Sequence, residues 1–144
     1  VRRILRDDEG SAAIEFVGLS IVLLLPVVYV LLSVFQLQRA AFGVSQAARE
    51  AGRAYSTAPS SGVAADLAQE AADLAVHDQG VEGSPAVTYT SMPSLQPGSR
   101  FTVRVDMAVP LPYAGHGKFL GLIPATVGVH SSYTVVIDEY RAGR

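Results

Sequence analysis

Few residues in this chain are of a type and spacing to do chemistry, and Glu15 is the foremost. It sits at the mouth of a run, Phe16 to Gln38, of 23 residues without one Asp, Glu, Lys or Arg. An ionised carboxylate in a bilayer costs roughly 3 kcal/mol at mid-membrane and less near the interface. Three ordinary explanations are open. Glu15 can stay at headgroup level, favoured by the positive end of the helix dipole; it can snorkel to the surface; or it can lie in water, with the span starting one turn later. Against them stands a functional role, the default for an ionisable group in a membrane helix.

The remaining candidates do not assemble into a catalytic set. His77, His116 and His130 fall in a helix, a glycine-rich loop and the polar face of a strand. None has a carboxylate or second histidine at ligand spacing, so the sequence predicts no zinc or hydrolytic site, and no other metal or cofactor. Gly115-His116-Gly117-Lys118 lacks the glycine spacing and the Ser/Thr after lysine of a phosphate loop and reads as a turn. The serines stand in no nucleophile-elbow context. Asp138 and Glu139, adjacent on an expected strand, point to opposite faces and cannot work as a pair. The expectation is a protein that is not an enzyme.

The elements that position Glu15 follow from periodicity. At 1.5 Å per residue the apolar run covers the ~30 Å hydrocarbon core of a bilayer, so 11–38 reads as a transmembrane helix. Pro26 lies mid-span, removes one backbone hydrogen bond and is the expected site of a kink. The helix continues beyond the membrane: Ala40, Val44, Ala47, Ala48, Ala51 and Tyr55 recur on one side, giving one helix from about Ser11 to Tyr55. That stripe serves core packing or subunit contact, or both.

A Ser/Pro/Gly loop follows, one of whose serines should cap a second helix at 61–79. In that helix Val63, Leu67, Ala71, Leu74 and Ala75 read as the apolar face, opposed by Asp66, Gln69, Glu70, Asp73 and His77. Beyond Gly80 the period changes to two, with strands near 86–91, 100–109 and 126–138, each with one apolar face. Three such strands imply an antiparallel sheet covered by helix. The connection Pro110–Pro124 carries Tyr113, Phe119, Leu120, Leu122 and Ile123, and a long apolar loop of this kind either tucks under the sheet or meets another subunit.

Composition narrows the function classes. A chain of 144 residues allows one domain plus a span, and a net charge of −2 offers no basic field for nucleic acid. With no cysteine there are no disulfides or thiolate sites, and with no asparagine there is no N-glycosylation. A cleaved secretory signal fits poorly: its apolar region is 7–15 residues, and the nearest small-x-small site here, Ser45-Gln46-Ala47, lies ten residues past Phe35. Charge does not set orientation, since Arg2, Arg3 and Arg6 before the span balance Arg39, Arg49 and Arg53 after it.

The order of these features carries a resemblance. A short charged leader, then Gly10, four small or apolar residues, Glu15-Phe16 and a long apolar helix resembles type IV prepilin-like proteins. It is most similar to the TadE-type pseudopilins of the Flp (tight adherence) pilus system. The family motif is often written Glu-Tyr where this chain has Glu15-Phe16, and a basic residue commonly precedes the glycine where this chain has Asp7, Asp8 and Glu9. The resemblance implies cleavage by a prepilin peptidase between Gly10 and Ser11, on the cytoplasmic side. Ser11 would then be the new N-terminus and Glu15 its fifth residue, pairing with the N-terminus of a neighbouring subunit to set stagger. A desolvated pair of that kind argues for register more than for stability.

The expected architecture is therefore α+β. Residues 1–10 form a leader and 11–38 the transmembrane helix. A small pilin-like extracytoplasmic domain, 39–144, has a second helix packed on a three-stranded antiparallel sheet. The implied function is that of a pseudopilin or minor pilin of a Flp/Tad-type pilus supporting assembly and adhesion. It implies a single-pass protein of the bacterial cytoplasmic membrane with its N-terminus in the cytoplasm. Implied partners are the peptidase, other pilin-like subunits through the N-terminal helix, and Tad assembly platform proteins. The alternative is a permanently anchored single-span protein with a small binding module, whose apolar loop, through Phe119 and Leu122, meets a ligand.

Overall fold

The computed structural model describes residues 8–91, 93–112, 118–119, 123–124 and 126–139. It contains two helices, α1 (Asp8–Thr57) and α2 (Ser61–Asp78), and five strands: β1 (Ala86–Tyr89), β2 (Arg100–Pro110), β3 (Lys118–Phe119), β4 (Ile123–Pro124) and β5 (Thr126–Val136). The chain divides into two compact units, Val1–Val34 and Phe35–Arg144, with α1 contributing to both. The class is α+β: a long apolar N-terminal helix, a second helix and a three-stranded antiparallel sheet.

In the first unit α1 begins at Asp8, three residues before the sequence-based boundary at Ser11. The helix therefore runs through Gly10. Pro26 lies inside α1 without ending it. Two hydroxyls on this helix bond back to their own backbone: Ser20 Oγ donates to the Phe16 carbonyl (2.7 Å) and Ser33 Oγ to the Tyr29 carbonyl (2.8 Å). Such bonds satisfy the serines without water, as an apolar surrounding requires.

The second unit is built on the sheet β1-β2-β5, antiparallel throughout. β2 and β5 pair over their whole length, from Arg100↔Val136 to Pro110↔Thr126, and β1 lies on the other side of β2 in the register Ala86↔Asp106 to Tyr89↔Val103. Strand alternation puts Phe101, Val103, Val105, Met107 and Val109 on one buried face. The C-terminal part of α1 covers that face with Ala40, Val44, Ala47, Ala48, Ala51 and Tyr55, all buried. Tyr55 packs edge-on against Phe101 (ring centroids 4.9 Å) and Tyr89 (5.2 Å).

For α2 the sequence-based face is wrong. The buried residues are Ala64, Ala68, Ala72, Ala75 and Val76, while Val63, Leu67 and Leu74 are 42%, 39% and 62% exposed. Only Ala75 belongs to both sets. The helix thus buries small side chains, and Gln69, read as a solvated polar residue, accepts from the Val87 N–H of β1. Ser60 does take the N-cap position, with extended backbone at φ −152°, but its side chain makes no capping bond. α2 stops where Gly80 adopts φ +65°, a left-handed conformation that glycine accepts without strain.

β1 and β5 stop at Tyr89 and Val136, two residues short of their expected ends. Backbone bonds continue the ladder past both ends: Thr90 N–H to the Thr102 carbonyl beyond β1, and Ile137 N–H to the Ser99 carbonyl and Gly98 N–H to the Ile137 carbonyl beyond β5. β3 and β4 form a separate two-residue pairing between β2 and β5. The expectation that the 110–124 connection tucks under the sheet lies outside the described residues, as do His116 and residues 1–7 of the leader.

The Tyr89 hydroxyl is buried and has no hydrogen-bond partner among the described residues. Burial pushes its pKa above the ordinary tyrosine value, with Tyr55 adding to the effect. An unsatisfied hydroxyl costs about 1–3 kcal/mol. Tyr89→Phe keeps the ring contacts and is expected to raise stability by about 1 kcal/mol, read as a higher midpoint in urea with unchanged slope.

Candidate functional site

The segment Ser11–Phe35 is distinguished by what does not cover it. Its most apolar 18-residue window is long and apolar enough to cross a membrane, and none of that window is buried. Sixteen large apolar side chains from Ile14 to Phe35 are exposed, Ile14 at 76% and Phe16 at 72%. Removing one Val, Leu, Ile or Phe side chain from water is worth about 1.5–3 kcal/mol, so this surface forfeits tens of kcal/mol in aqueous solution. Soluble monomers do not carry an apolar patch of that extent. A bilayer or a bundle of like helices is the environment that such a surface fits.

Glu15 stands exposed on this helix, with no ion pair or hydrogen bond to its carboxylate among the described residues. It follows Ser11 by one helical turn, so the two residues share a face about 6 Å apart along the axis. Phe16 is the next residue on the exposed surface. Gly10 precedes Ser11 within the same helix, so the expected cleavage position falls inside α1 rather than in an extended leader.

A second polar group was not legible in the sequence. On the open face of the sheet the Arg104 guanidinium binds Asp106 in a forked arrangement, Nη2 to Oδ1 at 2.8 Å and Nε to Oδ2 at 2.9 Å. His130 stands opposite Asp106 in register. Arg104 holds the Asp106 carboxyl below the usual carboxylate range, and the charge of His130 contributes in the same direction. Asp106 and His130 line a shallow hollow with Ser84, Ala86 and Gly128. The i, i+2 spacing of Arg104 and Asp106 is visible in the sequence; the partnership with His130 depends on register, which the sequence leaves open. The pair is exposed on both sides, and surface pairs contribute little to stability.

Among the described residues no group of three His, Asp or Glu side chains is placed to hold a metal. His77 is exposed on α2. Asp138 and Glu139 lie just past β5 rather than within it, so the argument from opposite strand faces does not apply to them. Against protein-family models, curated proteins and solved structures, the chain shows no match.

Proposed function

We propose that the chain is a non-enzymatic, pilin-like membrane subunit of the TadE pseudopilin type. In this reading it is cut after Gly10 and assembled through α1 into, or at the base of, a Flp/Tad-type pilus. Its N-terminus lies in the cytoplasm, and the α+β unit outside the cytoplasm. The observation that carries the reading is an uncovered apolar helix with a single carboxylate one turn after Ser11. Cleavage would give Ser11 an α-ammonium, and the two groups would then form a dipolar helix end that a neighbouring subunit can satisfy. Prepilin peptidase and the Tad platform proteins are partners in this proposal. Phe16 keeps an aromatic ring beside the carboxylate, and Pro26 supplies the kink that helix packing absorbs.

Placing the scissile bond in the first turns of a helix gives Gly10 a physical role. Glycine is about 1 kcal/mol less favourable than alanine in a helix, so the chain unwinds most cheaply there. Mass spectrometry of the protein from its native membrane is expected to find Ser11 as the N-terminus. Gly10→Val should leave the leader attached, and Glu15→Ala should be inserted and cut but not incorporated with other subunits. An unprocessed native N-terminus would favour the permanently anchored module, and normal incorporation of Glu15→Ala would remove the registry role.

A further inference from the structure

Within the α+β unit, the C-terminal part of α1 and the whole of α2 lie antiparallel as a helical hairpin. Residues 58–60 join them at one end. At the other, Gly43 meets α2: a Cβ on it would stand 3.7 Å from Val76 Cα, and nearby Gln79 Nε2 donates to Gln46 Oε1 (3.3 Å). The inner sides of both helices are settled by their buried alanines. Gln69, also inward, reaches β1, with Nε2 donating to the Pro85 carbonyl (2.7 Å).

The outer sides form two lanes of opposite charge. On α1, Arg39, Phe42, Arg49 and Arg53 are all exposed, Phe42 at 71%. At 3.6 residues per turn these four fall within an arc of about 80°, opposite the alanine stripe. On α2, Val63, Asp66, Leu67, Glu70, Asp73 and Leu74 are exposed, Leu74 at 62%, and fall within about 120° opposite the buried alanines. One lane is basic around a phenylalanine, the other acidic around a valine and two leucines. None of these charges, nor half-buried Glu50 on the side of α1 toward α2, forms an ion pair among the described residues. Apolar side chains set among unpaired charges are the make-up of a contact surface.

We propose that this outer face binds a second copy of the chain, the basic lane of each copy lying on the acidic lane of the other. Charge complementarity names both the occupant and the symmetry. A copy turned by a two-fold axis along the helices sets α1 against α2 twice, so each lane meets its opposite. A two-fold axis across the helices would set arginines on arginines and carboxylates on carboxylates, which costs several kcal/mol for close like charges. The first axis also fixes the levels. Gly43 is level with Val76 in one copy and therefore in its partner. At equal rise per residue, Arg49 comes opposite Glu70, Arg53 opposite Asp66, and Gln46 opposite Asp73 and Leu74. Phe42 lies within one turn of Leu74, giving the contact an apolar part. The interface is isologous and closes at two copies. It rests on the α+β unit alone and needs neither cleavage at Gly10 nor a fibre.

The chain has no cysteine, so introduced ones report on this contact alone. The full chain is reconstituted in vesicles of zwitterionic lipid, which offer the arginines no anionic surface and contain no other protein. Gln46→Cys and Leu74→Cys chains, tagged to differ in mass, are expected to give a mixed disulfide dimer on mild oxidation. Ser132→Cys chains, altered on the open face of the sheet, should not cross-link. Reversing one lane in both chains, by Arg49→Glu with Arg53→Glu or by Asp66→Arg with Glu70→Arg, should lower the mixed dimer about fivefold or more. Placing the first reversal on one chain and the second on the other sets an all-acidic face on an all-basic one and should restore it, which also shows that both variants fold. No mixed dimer, equal cross-linking through Ser132→Cys, yields indifferent to reversal, or no recovery in the crossed pair would each overturn the proposal. Lipid or an unrelated protein would then be what the lanes meet.

Discussion

Two arginines at mid-span, Leu24→Arg combined with Val28→Arg, will keep the chain out of the membrane, while either one alone will not. The reason is a near balance that two charges overturn. Each large apolar side chain near the centre of a span favours insertion by about 0.3–0.6 kcal/mol, and sixteen of them lie between Ile14 and Phe35. Their sum, about 5–10 kcal/mol, is reduced by Pro26, Gly18, Ser20 and Ser33. One arginine at the helix centre costs about 3 kcal/mol, which leaves insertion near or just past balance, and snorkelling lowers that cost further. A second at i+4 on the same face adds its own cost and repels the first. The measurement is the fraction of protein resisting alkaline extraction: near complete for the native chain, reduced but substantial for each single variant, and close to zero for the pair. Leu74→Arg, on the exposed side of α2, serves as control and should extract like the native chain. A native chain that washes off, or a double variant that does not, would end the membrane reading of α1.

How far the fold was legible depended on whether one pattern or two competed for each element. The stripe Ala40, Val44, Ala47, Ala48, Ala51, Tyr55 was read correctly because its opposite side carries Arg39, Gln46, Glu50 and Arg53, leaving one candidate face. The β2 alternation was equally unambiguous, with five apolar odd positions and polar residues at most even ones. In α2 two apolar stripes exist. The larger residues Val63, Leu67 and Leu74 read as the buried stripe, whereas the packing selects Ala64, Ala68 and Ala72. Hydrophobicity measures what a residue gains by burial and not the space in which it must be buried. Glu15 and Gly10 could be singled out from sequence because their oddity is local. The Arg104, Asp106 and His130 group and the Gln69 contact with Pro85 and Val87 could not, since both arise from the register and placement of elements far apart in the chain.

The same scarcity of space predicts that Gly52→Ala will destabilise the α+β unit, by up to about 2 kcal/mol, although it improves helix propensity. In an exposed helix this change would be favourable by about 0.8–1 kcal/mol, so a loss of stability requires a steric cost that exceeds it. The geometry supplies that cost. A Cβ on Gly52 would stand 2.6 Å from Val135 Cγ2 and 3.1 Å from Tyr133 Cδ1, closer than carbon atoms approach without displacement. Val135 is β-branched, buried and held by the β2–β5 ladder, so it cannot swing aside as a long flexible chain would. Overpacking of this kind costs about 1–3 kcal/mol. Gly43, on the same helix, has its nearest prospective neighbour, Gln79 Cγ, at 3.5 Å, an ordinary contact with a flexible side chain. Gly43→Ala should therefore be neutral or stabilising, and comparing the two variants separates space from propensity. The decisive measurement is a double-mutant cycle in urea. Val135→Ala alone should destabilise by leaving a cavity, but in the Gly52→Ala background it opens room for the new methyl, so the double variant should lose at least 1 kcal/mol less than the sum of the single losses. Strict additivity would mean that α1 shifts freely over β5. In that case the contact between Gly52 and the edge strand would have no part in seating α1 on the sheet.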